Sequence, residues 1–330
     1  MAKYKVLVLD YPNVDTAMEK KMLEELDGEI VMANVMDEAS ALPLAADADA
    51  LVTASVPITD KILDVAKKCK IAVRMGIGFD ALDLPALTRH GVYAAHLRGY
   101  CEQDVADHAM ALALALMRKL NISQKIKNGE WKGAGWSWVE NYPVFRMEGQ
   151  TFGLFAMGNI GRIVARRAQA FDFKVIAFDP FISPDDAKSI GVKLVDFDTL
   201  LRTSDVISIH APLSKSTHHM FNSKTIGKMK KTAYLVNTAR GGLVDNKAIY
   251  DALKAGIIAG AGLDVTEDEP CRTDEPLLKL DNVIITGHSA GYSENSFLAL
   301  RRGVFSQIVE VFKGGKPKYW LNREELEKQR

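Results

Sequence analysis

The first hundred residues alternate short apolar runs with amphipathic stretches. Four near-continuous apolar runs of strand length lie at 4–10 (YKVLVLD), 29–35, 50–55 and 71–75. The stretches between them, such as 16–26 and 60–68, carry apolar residues at helical spacing. Strands that are apolar on both faces and alternate with helices are typical of βαβ units. The pattern therefore predicts a parallel sheet covered by helices on both sides.

A second alternating series begins at residue 151 and predicts a complete doubly wound sheet. Before it, residues 104–128 read as one long helix, apolar nearly all round in its first half, which we expect to be buried at a domain junction or a subunit interface. The Gly- and aromatic-rich stretch 128–149 is expected to form a loop, and 293–312 a last amphipathic helix. The strand-like runs of the second series are 151–156, 174–179, 192–196, 206–212, 233–239, 259–265 and 282–287.

Composition narrows the class of protein. A chain of 330 residues exceeds what one hydrophobic core usually organises, so two domains are expected. Lys+Arg and Asp+Glu number 42 each, and a net charge of zero argues against an electrostatic nucleic-acid binder. No apolar run approaches the roughly 18 residues of a membrane helix, and the N-terminus lacks a signal-peptide pattern. Three scattered cysteines fit neither a disulfide framework nor a CxxC metal site, so we expect a reduced, soluble, cytoplasmic protein.

The first strand of the second series runs into a glycine-rich turn. The sequence AMGNIGR places Ala156, Gly158 and Gly161 where a Rossmann fold carries GxGxxG. Gly158 would let a pyrophosphate approach the backbone, and the helix starting near Asn159 and Ile160 would offer it unpaired N–H groups. Ala156 replaces the first glycine, which we expect to be tolerated only if the turn keeps φ negative there.

An acidic residue ends the next strand of this series. Asp179 follows Gly161 by eighteen residues, the position at which a carboxylate binds the adenosine ribose hydroxyls. No arginine follows in DPFISPDD to bind a 2′-phosphate, so NAD is favoured over NADP. The glycine turn alone is a weak signal, equally compatible with an ordinary turn. Strand, turn, helix, strand and acid in this order predict a dinucleotide site.

Three polar side chains stand just after later strand-like runs: Arg240, Glu269 and His288. Taken singly, they fit a surface cation, a solvated loop acid and a buried histidine, because structural networks also use such residues. Ligands of open α/β sheets gather at the carboxyl ends of the strands, so we expect the three to converge beside a nicotinamide. An arginine can hold a carboxylate there, a histidine can transfer a proton, and a glutamate can orient and charge the histidine.

At these residues the chain resembles the D-isomer-specific 2-hydroxyacid dehydrogenases, and nearest the branch with phosphoglycerate dehydrogenase-like and C-terminal-binding-protein-like members. The resemblance spans nearly the whole length. Its motifs are specific in combination rather than singly. They lie at 73–83 (VRMGIGFDALD), 100–118, 154–162 (LFAMGNIGR), 210–220, 235–245 (LVNTARGGLVD), 262–270 and 285–291 (ITGHSAG).

The resemblance implies an α/β fold with two doubly wound parallel-sheet domains. A Rossmann NAD-binding domain at 103–290 would be inserted in a flavodoxin-like substrate domain made of 1–102 and 291–330. The activity implied is reversible hydride transfer between NADH and a small 2-oxo or 2-hydroxy acid. A homodimer is also implied, with the helix 104–120 at a two-fold contact.

The resemblance also assigns roles to individual residues. Arg240 would bind the substrate carboxylate and carbonyl, His288 would be the general acid/base, and Glu269 would pair with His288. The backbone of Ile77 and Gly78 would hold the carboxylate, with Ser55 as a further substrate contact. The cofactor contacts would be Gly158, Asn159, Ile160, Gly161, Asp179, His210, Pro212, Thr217, Thr238, Arg240, Asp264, His288 and Gly291.

Two other functions match parts of the sequence. GHSAG at 287–291 fits the G-x-S-x-G nucleophile elbow of α/β-hydrolases, whose triad runs in the order Ser, acid, His. No histidine follows Ser289, so that order cannot be met. The second is a non-enzymatic NAD-sensing scaffold, since a fold does not fix a function. The presence of all three catalytic residue types favours the enzyme.

The other histidines are expected to be ordinary. No histidine pair is spaced as metal ligands with a carboxylate partner, so no metal site is expected. The loop 55–57 could line the substrate pocket together with Tyr100, Trp136 and Trp138, and Arg74 could either meet a phosphate or support the GIG turn. The sequence leaves open which 2-oxo acid is used. The histidines expected on the surface or in loops are His90, His96, His218 and His219, and the one expected on the helix near the domain junction is His108.

Overall fold

The chain forms two compact units, described by a computed structural model over residues 3–11, 14–123 and 143–329. One unit comprises residues 1–101 and 293–330, and the other comprises residues 102–292, inserted between them. Most of the predicted loop 128–149, including Trp136 and Trp138, lies outside the described residues.

The first unit begins with an alternation of strands and helices. Its strands are β1 (Tyr4–Val8), β2 (Gly28–Met32), β3 (Ala50–Thr53), β4 (Ile71–Arg74) and β5 (Tyr93–Ala95). Its helices in this part of the chain are α1 (Ala17–Glu24), α2 (Glu38–Ala45), α3 (Asp60–Val65) and α4 (Leu84–Arg89).

The second unit continues the alternation, and the chain then returns to the first. The helices of the second unit are α5 (Glu102–Met117), α6 (Leu120–Ser123), α7 (Asn159–Ala170), α8 (Pro184–Ser189), α9 (Phe197–Thr203), α10 (Ser223–Ile226) and α11 (Asn246–Lys254). Its strands are β6 (Thr151–Phe155), β7 (Lys174–Phe178), β8 (Lys193–Leu194), β9 (Val206–Ile209), β10 (Tyr234–Asn237), β11 (Gly260–Leu263) and β12 (Val283–Ile285). Short 3₁₀ turns span Gly241–Leu243 and Pro276–Lys279, and the returning helices are α12 (Glu294–Phe312) and α13 (Arg323–Gln329).

Both sheets are parallel and doubly wound. The first has the order β2-β1-β3-β4-β5, which is the flavodoxin order, and the second has the order β12-β11-β10-β9-β6-β7-β8, which is the Rossmann order extended by one strand. The predicted fold class is therefore confirmed. The strand β5 was not predicted, because two of its three residues are alanines, which do not favour strands and form no strongly apolar run.

Successive side chains of a strand point to opposite faces of the sheet, so each unit has one apolar cluster on either face of its sheet. In β1, Val6 and Val8 belong to one apolar cluster while Leu7 belongs to the other, so both faces of the sheet are buried. Helix α12 covers the first of these clusters with Val304 and Ile308, among others. The near-continuous apolar runs of the sequence follow from this two-sided burial.

The predicted helix 104–128 breaks after Met117, and its last part, 124–128, lies outside the described residues. Lys119 has a φ of +53°, a left-handed conformation that ends an α-helix, and α6 is a separate turn. Helix α5 packs on α7 and on the sheet of its own unit, with residues such as Ala109 and Ala113 fully buried. Contacts within the unit therefore bury much of the apolar surface of this helix, while Ala111 on its outer side stays exposed. Among the described residues, no helix combines the length and the apolarity that crossing a membrane requires.

Candidate active site

The strand order of the second sheet reverses between β6 and β9, and a glycine turn follows β6 at that point. A Cβ added to Gly161 would lie 2.6 Å from the Ala156 carbonyl oxygen, so a side chain there would push α7 away from the strand. A Cβ added to Gly158 would meet no atom within 4 Å. The third glycine is thus required by packing, whereas the space at the second suits a ligand that approaches the backbone, as a pyrophosphate does.

Ala156 stands in a left-handed conformation, with a φ of +73°. The expectation that an alanine here keeps φ negative is wrong. The backbone N–H of Ala156 donates to the Phe178 carbonyl at 2.9 Å, and that of Met157 donates to the Asp179 carboxylate at 2.8 Å. These bonds hold the turn in the geometry that glycine normally adopts, at a cost of about 1–2 kcal/mol for the alanine.

Asp179 ends β7 directly beside this turn. Its Oδ2 accepts the hydrogen bond from Met157, and its Oδ1 accepts one from the N–H of Phe181 at 2.9 Å. The side chain is half-buried. Because each carboxylate oxygen has more than one lone pair, the group can also accept hydrogen bonds from a diol. The acid and the glycine turn therefore meet at one edge of the sheet.

Other groups at this edge also suit a bound dinucleotide. The hydroxyl of Thr238, just after β10, is buried and makes no hydrogen bond within the described residues. His210, just after β9, pairs through Nε2 with the Ser208 hydroxyl at 2.9 Å, and burial lowers the pKa of its imidazole to about 4. The Thr217 hydroxyl donates to the Pro212 carbonyl at 2.8 Å and closes the turn that follows. An orphaned hydroxyl and a neutral imidazole at the ends of these strands fit a cofactor site.

Arg240 is carried by a tight loop after β10. The Asn237 side chain fixes this loop, donating to the Arg240 carbonyl at 2.9 Å and accepting from the N–H of Ala239 at 3.0 Å. A Cβ on Gly241 would lie 1.9 Å from the carbonyl oxygen of Thr266, which no side chain tolerates. The loop bearing Arg240 is therefore pressed against the segment that leads to Glu269.

Asp264 organises the loop that carries His288. Its carboxylate is buried and accepts hydrogen bonds from the N–H groups of Ser289 and Ala290, both at 2.9 Å, and from the Thr286 hydroxyl. Its carbonyl oxygen accepts from the N–H of His288 at 2.7 Å. The structure thus shows Asp264 as a support of the histidine loop, and His288 is held in a left-handed conformation with a φ of +51°.

His288 and Glu269 form a hydrogen-bonded pair. The His288 Nδ1 lies 2.6 Å from Glu269 Oε2, and both side chains are partly exposed, at 43% and 38%. A carboxylate on Nδ1 fixes the ring orientation and leaves Nε2 without a part in this contact. Arg240, Glu269 and His288 follow the neighbouring strands β10, β11 and β12. Because the carboxyl ends of parallel strands share one edge, the three predicted residues lie at the same edge of this sheet.

In the first unit, the candidate substrate contacts lie at the carboxyl ends of β3 and β4. The carboxylate of Asp10 accepts from the N–H groups of Ala54, Ser55 and Val56, so an internal anion occupies the N–H groups of that turn. Arg74 donates from Nε to the Ala54 carbonyl at 3.2 Å. Its guanidinium also covers Gly76, where an added Cβ would lie 1.7 Å from it.

The turn that contains Ile77 and Gly78 is held by His96. His96 donates from Nδ1 to the Ile77 carbonyl at 2.6 Å, and its Nε2 accepts from Arg98 at 3.0 Å. Burial lowers the pKa of the His96 imidazole, so the ring is neutral at neutral pH. His96 lies in the loop after β5, within the expected surface or loop placement, but it is buried, with only 2% exposed. Its position after β5, a strand that was not predicted, hid this role.

Comparison with known proteins decides the family. A model of the D-isomer-specific 2-hydroxyacid dehydrogenase NAD-binding domain matches residues 110–290. The chain belongs to this family. Glyoxylate reductase of Korarchaeum cryptofilum is 38% identical over 282 residues, which cover 84% of each protein. D-3-phosphoglycerate dehydrogenase of Archaeoglobus fulgidus is 40% identical over 265 residues, 80% of this chain, but the chain spans only about half (49%) of that relative.

A solved structure aligns with nearly all of the chain. D-lactate dehydrogenase of Aquifex aeolicus, complexed with NAD and lactic acid, is 30% identical and covers 98% of each chain with a TM-score of 0.83. The predicted family and the NAD cofactor are therefore confirmed. The oxidoreductase prediction is confirmed at the level of the family, whose named relatives are reductases and dehydrogenases.

The statement that no pair among the remaining histidines has a carboxylate partner is also wrong. His218 and His219 do have a carboxylate partner, Glu267, which stands 48 residues further along the chain. Spacing in sequence could not show this, because the contact joins the loop after β9 to the loop after β11. His108 pairs with the Thr286 hydroxyl at 2.9 Å, and His90 with Asp60 at 3.2 Å.

Proposed function

We propose that the protein is an NAD-dependent D-2-hydroxyacid dehydrogenase that interconverts a small 2-oxo acid and its 2-hydroxy acid. The observation that carries the proposal is the hydrogen bond between Glu269 and His288, at the sheet edge that also bears Arg240 and the glycine turn. A paired imidazole, an arginine and a dinucleotide turn are the groups that this reaction needs. The second unit would bind the cofactor, and the first would be the substrate domain.

Each residue has a defined task in this proposal. Bound NADH supplies a hydride to C2 of the 2-oxo acid. His288 donates the proton from Nε2 to the carbonyl oxygen, which yields the 2-hydroxy acid, and in the opposite direction it accepts that proton. Glu269 orients the ring through its contact with Nδ1. Arg240 binds the substrate carboxylate through its planar fork of donors.

The proposed substrate contacts in the first unit are Ser55, Ile77 and Gly78. Their support is local geometry. Asp10 orders the turn at Ser55, and His96 fixes the Ile77 carbonyl, which orients the following peptide groups. His96 is therefore proposed as a positioning residue for this turn. The proposed NAD contacts are Gly158, Asn159, Ile160, Gly161, Asp179, His210, Pro212, Thr217, Thr238, Arg240, Asp264, His288 and Gly291.

Oxidation of NADH by the untagged protein tests the activity against a substrate panel. Glyoxylate, hydroxypyruvate, pyruvate, phosphohydroxypyruvate and branched or aromatic 2-oxo acids cover the sizes that the family's named relatives suggest. Saturable turnover with at least one of them is expected. Binding of NADH without reduction of any of these acids would replace the enzyme by the alternative function, a non-enzymatic NAD-sensing scaffold.

Replacement of Asp179 by alanine should weaken NADH binding and narrow its advantage over NADPH. The carboxylate accepts hydrogen bonds from a ribose diol and repels a 2′-phosphate, so its removal affects the two cofactors in opposite directions. Dissociation constants of both cofactors for the wild type and Asp179→Ala measure this, with Asp185→Ala, an exposed acid on α8, as the control. A wild type that prefers NADPH would refute the assignment.

We also propose that the protein is a homodimer in the cytoplasm. Ala111 on the outer side of α5 is exposed and Leu120 of α6 is 52% exposed, so apolar surface remains available there. The three cysteines, all within the described residues, form no disulfide, in keeping with a reducing compartment. Light scattering at micromolar concentration should give about twice the mass of one 36.3 kDa chain, and Leu120→Glu should lower it. A monomeric wild type would contradict the proposal.

A further inference from the structure

Two adjacent histidines and a carboxylate meet outside the proposed catalytic groups. One ring nitrogen each of His218 and His219 and one oxygen of Glu267 lie within 4.8 Å of one another. The two imidazoles are stacked, with their centroids 3.8 Å apart and their planes inclined by 23°. The Nε2 of His219 contacts Oε1 of Glu267 directly. The cluster thus presents two nitrogen donors and one oxygen donor to one point on the surface.

The backbone and the carboxylate of this cluster are held in place by their surroundings. His219 adopts a φ of +51°, its N–H donates to the Gly242 carbonyl at 2.8 Å, and its own carbonyl accepts from the Asn222 side chain at 2.8 Å. The second oxygen of Glu267 accepts from the N–H of Asn246, the first residue of α11, at 3.0 Å. Such supporting hydrogen bonds fix the direction of metal ligands and strengthen binding.

The donor set selects the chemical class of ligand. Two imidazoles with one carboxylate suit Zn²⁺ and neighbouring transition-metal dications, whereas Mg²⁺ and Ca²⁺ prefer oxygen ligands throughout. In a tetrahedral site with zinc-to-ligand distances of about 2.0–2.2 Å, two ligand atoms stand farther apart than hydrogen-bonded atoms do. The ion would therefore replace the direct contact between His219 and Glu267, while the His218 nitrogen draws closer to them. The exposed side chain of His218 can make that adjustment by rotating. We propose that His218, His219 and Glu267 form a binding site for Zn²⁺, with one coordination position left for water.

The site would join two loops that bear on the proposed active site. Glu267 precedes Glu269 by two residues, and its backbone nitrogen would lie 2.5 Å from a Cβ on Gly241, the residue after Arg240. A metal ion at the cluster would therefore tie the turn after β9 to the segment beside the Arg240 loop. Cross-linking of these loops by a ligand that binds only the folded chain should raise the melting temperature.

Isothermal titration of the untagged, full-length, chelator-treated protein with ZnCl₂ tests the site. We expect one high-affinity Zn²⁺ per chain and a higher melting temperature in its presence, and no displacement by excess MgCl₂. His218→Ala and Glu267→Gln should each weaken Zn²⁺ binding by about tenfold or more, as the removal of residues from a metal site does. The matched control is His90→Ala, which removes a half-buried histidine paired with Asp60 and should change nothing.

Several outcomes would overturn the proposal. Zinc affinity that is unchanged in His218→Ala would show that the cluster is only an ion pair between His219 and Glu267. Loss of binding in His288→Ala or in Cys271→Ser, with retention in His218→Ala, would move the ion to another group. His218 is exposed, so its replacement should leave the metal-free melting temperature unchanged, which separates lost binding from misfolding.

Discussion

Replacing His288 by alanine is expected to lower kcat for 2-oxo acid reduction by about 10²–10⁴ while NADH affinity stays nearly unchanged. The magnitude is the usual contribution of a positioned general acid. The imidazole is held for that task by Glu269 at 2.6 Å and by the backbone bond to Asp264. Steady-state kinetics on the best substrate of the panel, with NADH binding measured by fluorescence, provide both numbers.

Two further variants serve as controls for this experiment. His288→Asn keeps a residue type that tolerates the left-handed backbone at this position, so a loss of kcat in both variants reports chemistry rather than a collapsed loop. His90→Ala, remote in sequence and paired with Asp60, should retain wild-type kinetics. Reduction at near wild-type rate by His288→Ala would remove this histidine from the mechanism.

The apolar runs of the sequence were sufficient to predict both sheets except for the strand β5. Long apolar runs such as 4–10 mark buried parallel strands, because both faces of such a strand are covered. The alanines of β5 form no such run, and the apolar pattern of the long helix does not indicate the break at Lys119. Lys119 adopts the left-handed conformation that ends a helix, but a lysine is not a residue whose presence in the sequence indicates that conformation.

In the candidate site, residues that follow a strand could be placed from the sequence, whereas roles that depend on contacts in the folded chain could not. Arg240, Glu269 and His288 each follow a strand, so parallel topology alone places them at one edge. The roles of His96 and Asp264 depend on which backbone groups their side chains meet in the folded chain. Ala156 is a third case. The hydrogen bonds around it hold an alanine in a left-handed conformation that glycine normally adopts, and the backbone preference of alanine alone predicts the opposite.

Replacing Glu269 by glutamine should lower kcat for reduction while NADH affinity stays nearly unchanged. Glu269 Oε2 lies 2.6 Å from His288 Nδ1, and this contact fixes the orientation of the imidazole ring. Glutamine has a similar shape, but its amide can turn the NH₂ group, which only donates hydrogen bonds, toward the ring, so it holds the imidazole less well than a carboxylate does. Because proton transfer needs the ring nitrogen within hydrogen-bond reach of the substrate oxygen, kcat should fall by about tenfold or more, less than on loss of the histidine itself.

A neighbouring acid supplies the matched control for this variant. Asp268→Asn removes one negative charge from the same loop but leaves the pair of Glu269 and His288 intact, so its kcat should equal that of the wild type. Oxidation of the 2-hydroxy acid adds a second check, because the same histidine accepts the proton in that direction and Glu269→Gln should slow it as well. A wild-type kcat for Glu269→Gln in both directions would show that Glu269 does not position His288.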